Sequence, residues 1–526
     1  MTSIWRNLRT GILGATAMAL VSALPAAAET ITAVMHSGLR VMDPVITTAH
    51  ITRDNAFMIF DTLVAVNSDF EVKPQMANFE VSDDGLSYTF TLRDGLKWHD
   101  GGEVTPADCI ASIKRWMVRD GGGQMIADRM ESLEATGDKS FVLKLKEPFP
   151  YTLQAMAKPS GLALFMMPER LANTPADQAI TEYIGSGPFK FVADEFQPGV
   201  KVVYVKNEDY VPAPGPQSWF SGAKVVKVDR VEWVTMPDAQ TTLNALMNGE
   251  VDFVEQIPTD LLPLLDGVDE VKVDVLQNLG AVTIGRMNFL HPPFDNPKIR
   301  KAALMAISQK DVLTAMIGNP DYFKVCGAIF GCGTPFEFTD GSETLTSGGD
   351  IEGAKALLKE AGYDGTPVVL MQPTDVVTLT AQPIVAAQAL RNAGFNVDLQ
   401  PMDWQTLVTR RASQAKPSEG GWNLFFTGWI VPEVSNPLGN IMLNGRGDKA
   451  WFGWPTDPES EALLAEFAKA ADLDAQKAIA QKIQAHVMEN VNYIHLGQYF
   501  GASGWNSSLQ GVEKAPFPVF WGIEKS

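Results

Sequence analysis

An α/β architecture carrying an inserted α+β segment is the fold class the sequence predicts, and three observations predict it. From residue 230 onward, strand-like and helix-like segments alternate, the order that stacks helices on partly parallel sheets. Residues 60–150 have a different texture, dense in hairpin signals. The 526-residue length exceeds what one ordinary core serves, so two or three domains are expected.

The first segment sets the expected compartment. Arg6 and Arg9 precede the short apolar run "GILGATAMALVSAL", and Ala26-Ala27-Ala28 offers a small-residue cleavage site. This is the pattern of a Sec-type signal peptide over residues 1–28, too short for a permanent span. Removal after Ala28 takes two arginines and no acids from a net charge of -20, leaving -22. No cysteine follows the site, so a lipid anchor is not expected and export to a bacterial periplasm is. An acidic chain without a basic stripe excludes a nucleic-acid partner.

The hairpin-rich segment begins with Leu86, Tyr88, Phe90 and Leu92 alternating with polar residues, a strand with one buried face. Asp84-Gly85 and Asp94-Gly95 mark its turns, and "LKWH" reads as the return strand. Thr105-Pro106-Ala107-Asp108 is a helix start, with Thr105 as N-cap and Asp108 completing a capping box. Ile110, Ile113 and Met117 share the next helix's apolar face, with Cys109 as a small buried hydrophobe. Only His99 in this stretch lacks a local task, and the stretch reads as scaffold. The glycines of "RDGGGQM" read as a helix stop and turn rather than an anion cradle, and 210–222 as a long surface loop.

Beyond residue 230 the elements follow in order. "RVEWVTM", a helix ending at Gly249 and "EVDFVEQI" form a βαβ-like unit. Strands at "VKVDV" and "VTIGRMNF" lead to a helix opened by Asn296 and Pro297. A helix ending at Gly362, the strand "TPVVLM", the helix "AQPIVAAQALRNAG" and the strand "FNVDLQ" come next. "DWQTLVTRRAS", "WNLFFTGW", two helices near 458–471 and 474–491, and "YIHLGQYF" complete the series. Cys326 and Cys332 bracket "CGAIFGC", a loop that a disulfide could close in an oxidising compartment; the spacing is not a zinc pattern.

No zincin, nucleophile-elbow, phosphate-loop or dinucleotide motif is present, and the six histidines show no i, i+4 ligand pair. The expectation is a binding protein rather than an enzyme, with no metal and no cofactor.

Four stretches carry a resemblance. They are "IFDTLVAVNSDFEVKPQMANFEVSDDGLSYTFTLRDGLKWHDGGEVTPADCIASIKR", "YIGSGPFKF", "HPPFDNPKIRKAALMAI" and "AKALLKEAGY". In that order the chain resembles the family 5 extracellular solute-binding proteins, the dipeptide-, oligopeptide- and nickel-binding components of bacterial ABC importers. The resemblance implies a periplasmic binding protein type II-like fold, in which two hinged lobes close over a solute and a third α+β domain is inserted in the N-terminal lobe. It places lobe I at 29–60 with 188–283 and 490–526, the inserted domain at 61–187 and the other lobe at 284–489. It also implies an inner-membrane ABC permease as partner, and a peptide or other small molecule as ligand; a monomer is expected.

The solute is harder to read. Peptide-binding relatives carry an aspartate just after a "GW" for the ligand's α-ammonium; that position here is Pro432, with Glu433 next to it. Where dipeptide-type relatives place an arginine for the carboxylate, this chain offers Asp375. A pocket with Asp375 and Glu433 favours a cation, helped by Trp404 and Trp429 through cation–π contact. Thr48, His50 and Thr52 are candidates from the other lobe, and Asn436 follows on the Glu433 segment. Each charged candidate has a plainer alternative: Asp375 as the cap of the helix after it, Glu433 as a solvated loop residue, Trp404 as core. Two readings follow, a receptor for peptides or related amino compounds, and one for a non-peptide, cationic or opine-like solute.

Overall fold

Three sheets organise the chain in the computed structural model, which describes residues 29–236, 238–470 and 472–526. The expected leader, residues 1–28, lies outside the described residues.

The first sheet has seven strands, in the order Val271–Asp274, Ala502–Asn506, Phe253–Ile257, Thr30–Val34, Arg230–Val234, Lys201–Lys206 and Phe189–Phe191. Thr30–Val34 lies between Arg230–Val234 and Phe253–Ile257 and runs parallel to both, so the expected βαβ unit has a third strand set into it. The helix Ala239–Met247 makes the crossover, capped by Asp238. Apolar residues of that helix, among them Leu243 and Leu246, pack on Val34, Val254 and Ile257.

The second sheet has six strands, ordered Phe323–Lys324, Ile494–Tyr499, Ala281–Met287, Leu424–Ile430, Val368–Pro373 and Val397–Met402. All six residues of Ile494–Tyr499 are buried, as befits a strand covered on both faces. The chain passes between these two sheets twice, at 275–280 and at 500–501. The two passages lie close together: Gly280 has φ +66, and a Cβ there would stand 2.3 Å from the Tyr499 carbonyl oxygen, so only glycine fits.

The third sheet is the four-stranded antiparallel set Ala77–Val81, Ser87–Leu92, Ser140–Leu145 and Met130–Ala135, the expected α+β segment. The capping box is formed as read: Thr105 accepts from the Asp108 N–H while Asp108 accepts from that of Thr105. Cys109 is buried and unpaired, and Cys326 and Cys332 are joined in a disulfide.

Two local expectations are corrected. "LKWH" is not a return strand: the Trp98–Gly102 turn closes so tightly that only Lys97 and Glu103 pair. Ser87–Leu92 takes its neighbours from 77–81 and 140–145 instead. The glycines after Arg119 are not a stop either. They open a second helix, Gly121–Arg129, because Asp120 accepts from the Gly123 N–H as its N-cap.

His99 has a scaffold task that local reading left blank. Its Nδ1 accepts from the Gly185 N–H at 3.3 Å, and its Nε2 donates to the Gly187 carbonyl at 3.1 Å. Burial pushes its pKa down to about 4, in keeping with a neutral ring in that clamp. The clamp holds "GSG" against the helix His50–Ile59, so closely that a Cβ on Gly185 would lie 1.8 Å from the Ile59 carbonyl oxygen.

Candidate functional site

A cavity of about 130 Å³ lies between the first two sheets, and both supply its walls. From the side of the first sheet come His36, Thr48, His50, Arg53, Glu255 and Phe517; from the other come Thr378, Trp404, Arg411, Thr427, Trp429 and Ile430. The passages between the sheets contribute Leu276, Gln277, Gly280 and Gly501, so any change of angle between the halves reshapes the cavity.

Its acidic wall is a buried charge network. The helix His50–Ile59 carries His50, Arg53 and Asp54 on consecutive turns, and the segment after the strand Leu424–Ile430 brings Glu433 against them. Arg53 Nη1 donates to Glu433 Oε1 at 2.8 Å, and Nε donates to Asp54 Oδ1 at 2.9 Å. His50 Nε2 lies 3.2 Å from Glu433 Oε2, which also accepts from the Ile430 N–H. Burial alone would raise the Glu433 pKa, yet His50 and Arg53 hold it below the ordinary value. His36 Nδ1 sits 2.8 Å from Glu255 Oε2 and 3.9 Å from Asp54 Oδ2. Burial works against the charged ring, but Glu255 wins and raises the His36 pKa. Glu433, Asp54 and Glu255 face Arg53, His36 and His50 across this network, and burial raises the Asp54 pKa.

The opposite wall is aromatic with a cation set in it. Arg411 is buried, with the rings of Phe452, Trp404, Phe425 and Trp451 around it at 5.1–5.9 Å. Trp451 and Arg411 both donate to Thr48 Oγ1, at 3.1 and 3.2 Å, tying the halves together. Trp429 stands edge-on to His50 at 5.8 Å and to Trp451 at 5.4 Å. Several lining groups have no partner: Trp429 Nε1, Gln277 Nε2, Gln256 Oε1 and Arg411 Nε. Buried polar atoms are normally satisfied, so these are the hydrogen-bonding positions a solute can complete.

A second cavity, about 720 Å³, shares Thr48 and opens toward the four-stranded domain, between Arg119, Met117 and Leu162 and the loop of Lys449–Trp454. Asp128 and Arg446 pair across this junction at 2.8 Å. Among the described residues, one trio could hold a metal ion: His36, Asp54 and Glu255, with ligand atoms within 4.8 Å. Glu255 is already engaged by His36 and Asp54 by Arg53, so the trio is also complete as an ion-pair cluster.

Of the residues singled out from sequence, Thr48, His50, Trp404 and Trp429 line the central cavity. Glu433 is not a solvated loop residue; it is buried behind the wall, held by Arg53 and His50. Asp375 is off the cavity. It is exposed and beside the smaller cavity next to His36, and it accepts from the Trp404 N–H at 2.7 Å, so it supports the helix Trp404–Arg410 rather than a ligand. Thr52 is turned inward, donating to the Val41 carbonyl at 2.6 Å, and Asn436 accepts from the Leu438 N–H in a turn. Sequence reasoning missed His36, Arg53, Glu255 and Arg411. Arg411 reads locally as an ordinary helix-end cation, and nothing in its own segment signals the aromatic box assembled around it.

A family profile described as bacterial extracellular solute-binding proteins, family 5 (middle), matches residues 71–450. The chain is 40% identical to the "Probable peptide ABC transporter periplasmic-binding protein y4tO" of Sinorhizobium fredii, over all of both chains. Among solved structures it is similar to the binding protein AgaA of A. tumefaciens R10 in complex with agropinic acid. The TM-score is 0.78 at 21% identity, covering 94% of this chain and 99% of that one. It is also similar to DppA of Helicobacter pylori in complex with the peptide STSA, with TM-score 0.77 at 20% identity, covering 94% and 98%. At such identities these two likenesses speak for the fold.

Proposed function

This chain belongs to the family 5 bacterial extracellular solute-binding proteins, the binding components of ABC transporters, and from that premise we propose that it captures peptides or related amino compounds by hinge closure and hands them to an inner-membrane ABC permease. The observation that carries the proposal is the cavity between the two large sheets, lined from both, roofed by ion pairs that cross between them, and bordered by the two chain passages. Sheet membership supports a division into lobe I, an inserted domain at about 61–187 and a second lobe. In this division the crossings fall at 275–280 and 500–501, the first just before the 283 edge expected from sequence and the second about ten residues after the 490 edge.

A solute shifts such a hinge only if it binds the closed form more tightly than the open one. The lining provides for this, since the unpartnered groups of Trp429, Gln277 and Gln256 meet a common solute only when the halves are together. The same reading has residues 1–28 removed after Ala28 as a signal peptide without lipidation, and the mature protein acting in the periplasm as a monomer that binds no nucleic acid. Its role is capture, not catalysis.

A second reading, a non-peptide, cationic or opine-like solute, is favoured by one observation. The expected ammonium anchor is absent: Pro432 stands at its place, and Glu433 is already taken by Arg53 and His50. Native mass spectrometry of protein isolated gently from periplasm, with identification of the released compound, separates the two. A peptide or family of peptides supports the first reading, and a single non-peptide metabolite replaces it with the second.

A further inference from the structure

The loop 326–332 is buried at every residue, yet it is neither helix nor strand. Irregular chain normally runs over the surface, because buried backbone N–H and C=O groups need partners. Here three buried glutamines supply them. Gln309 accepts from the Cys326 N–H at 3.0 Å and donates to the Cys326 carbonyl at 2.9 Å. Gln484 accepts from the Ile329 N–H at 2.9 Å and donates to the Gly327 carbonyl at 3.0 Å. Gln498 accepts from the Cys332 N–H at 2.9 Å and donates to the Cys332 carbonyl at 3.3 Å. The Cys326–Cys332 disulfide closes the loop on itself.

Gln498 differs from the other two in where else it reaches. It lies on the strand Ile494–Tyr499, just before the second chain passage between the large sheets, and its Nε2 also donates to the Leu279 carbonyl of the first passage at 2.6 Å. The further bonds of Gln309 and Gln484 go to the carbonyls of His495 and Asp340, outside both passages. The loop also bears on the segment that carries Glu433. Gly331 packs so closely there that a Cβ on it would stand 2.7 Å from Val431 Cγ1, and the Val431 N–H donates to the Gly280 carbonyl at 3.0 Å. One covalently closed loop therefore abuts both the first passage and the start of the Glu433 segment.

We propose, on the hinge-closure reading, that the loop 326–332 is a brace for the first passage, with Gln498 as its positioning residue, and that the thiol–disulfide state of Cys326 and Cys332 thereby tunes closure over the solute. Reduction is an exchange with an external dithiol. A thiolate of the dithiol attacks one cysteine sulfur, the Cys326–Cys332 bond breaks, and the dithiol's second sulfur resolves the mixed disulfide. The dithiol ends as a disulfide, and its two electrons and two hydrogens end on the cysteine thiols. The glutamine bonds survive this step, but Cys332 is no longer tied to Cys326, so the point from which Gln498 holds Leu279 is loosened. The closed form needs the passage in place, and the reduced protein closes less readily.

The test is hydrogen–deuterium exchange on the full mature protein, free of solute. Five forms are compared: oxidised wild type, wild type reduced with dithiothreitol, Cys326→Ala with Cys332→Ala, Gln498→Met and Gln309→Met. Both cysteines are buried, so the double alanine variant stands in for the reduced state wherever dithiothreitol fails to reach them. Exchange across 275–280 and at Val431 should be about tenfold faster than in oxidised wild type for the reduced protein, the double alanine variant and Gln498→Met, within the usual range of coupling between sites. Gln309→Met breaks a matching pair of backbone bonds at the other end of the loop. It should loosen 326–329 and leave 275–280 at the wild-type rate, which separates a positioning role from a merely structural one. Equal acceleration of 275–280 in Gln309→Met and Gln498→Met overturns the assignment, and so does wild-type exchange there in every altered form. The second readout is native mass spectrometry after exposure to a mixed peptide digest, where the reduced protein should retain peptides about tenfold more weakly than the oxidised. Faster exchange with unchanged retention overturns the tuning. If even oxidised wild type retains no peptide, the peptide reading fails, and the exchange rates alone decide the brace.

Discussion

Glu433→Gln should unlatch the two halves without unfolding either. Glu433 comes from the segment after the strand Leu424–Ile430, whereas Arg53 and His50 belong to the helix His50–Ile59 of the other half. At 2.8 Å the Arg53–Glu433 pair has a gross attraction of about 6 kcal/mol for an effective dielectric near 20. Desolvation of both ions removes most of that, and Arg53 keeps Asp54 in the variant. A net loss of about 2 kcal/mol from the closed form remains, which is roughly 30-fold in the closed-to-open ratio. In the open form water reaches Arg53 and His50, so global stability should change much less. Small-angle scattering of the ligand-free variant should therefore give a larger radius of gyration, and solute affinity should fall in proportion to the lost closed population. Acid should act in the same direction. Glu433 titrates below its ordinary 4.5, so its contribution is present above that value and is lost as pH falls through the folded pKa. A variant with wild-type scattering and wild-type affinity would refute the latch.

Four further outcomes follow from particular contacts. His36 titrates above its ordinary 6.5, so its pairing with Glu255 stabilises fully below that value and fades as pH rises through the folded pKa. His36→Gln should therefore flatten the decline of melting temperature as the pH rises above about 6.5. Trp429→Ala should weaken solute binding at least about tenfold, because it removes a wall and a free donor; Asp375→Asn should leave calorimetric affinity nearly unchanged, since Asp375 serves the helix Trp404–Arg410. Asp457→Ala should lower stability by about 3 kcal/mol in denaturant melts. It removes the N-cap of the helix Pro458–Ala468 together with bonds from His486, Asn490 and Asn492.

What was legible in the sequence was whatever local chemistry determines. Thr105-Pro106-Ala107-Asp108 capped its helix as read, because a capping box needs only four consecutive residues. Strands with a strict period of two, such as Ser87–Leu92, appeared where the alternation placed them. "LKWH" was misjudged because pairing is a tertiary choice, made there by a strand some fifty residues away. The site divided in the same manner. Trp429 and His50 fell on the cavity because a recognisable segment carried them, whereas Glu255 depends on His36, 219 residues away, and Arg411 on rings brought back from later segments, Phe425, Trp451 and Phe452. Asp375 was visible beside the family's pattern, but its partner, the Trp404 N–H, was not.

The most direct measurement is hydrogen–deuterium exchange on the protein loaded with its co-purified solute and on the same protein emptied. Capture between the lobes predicts that solute slows exchange in both 48–53 and 427–431, together with the crossing segments 275–280 and 499–502. Protection confined to one side of the cavity, or absent from both, would contradict closure over a solute at this site.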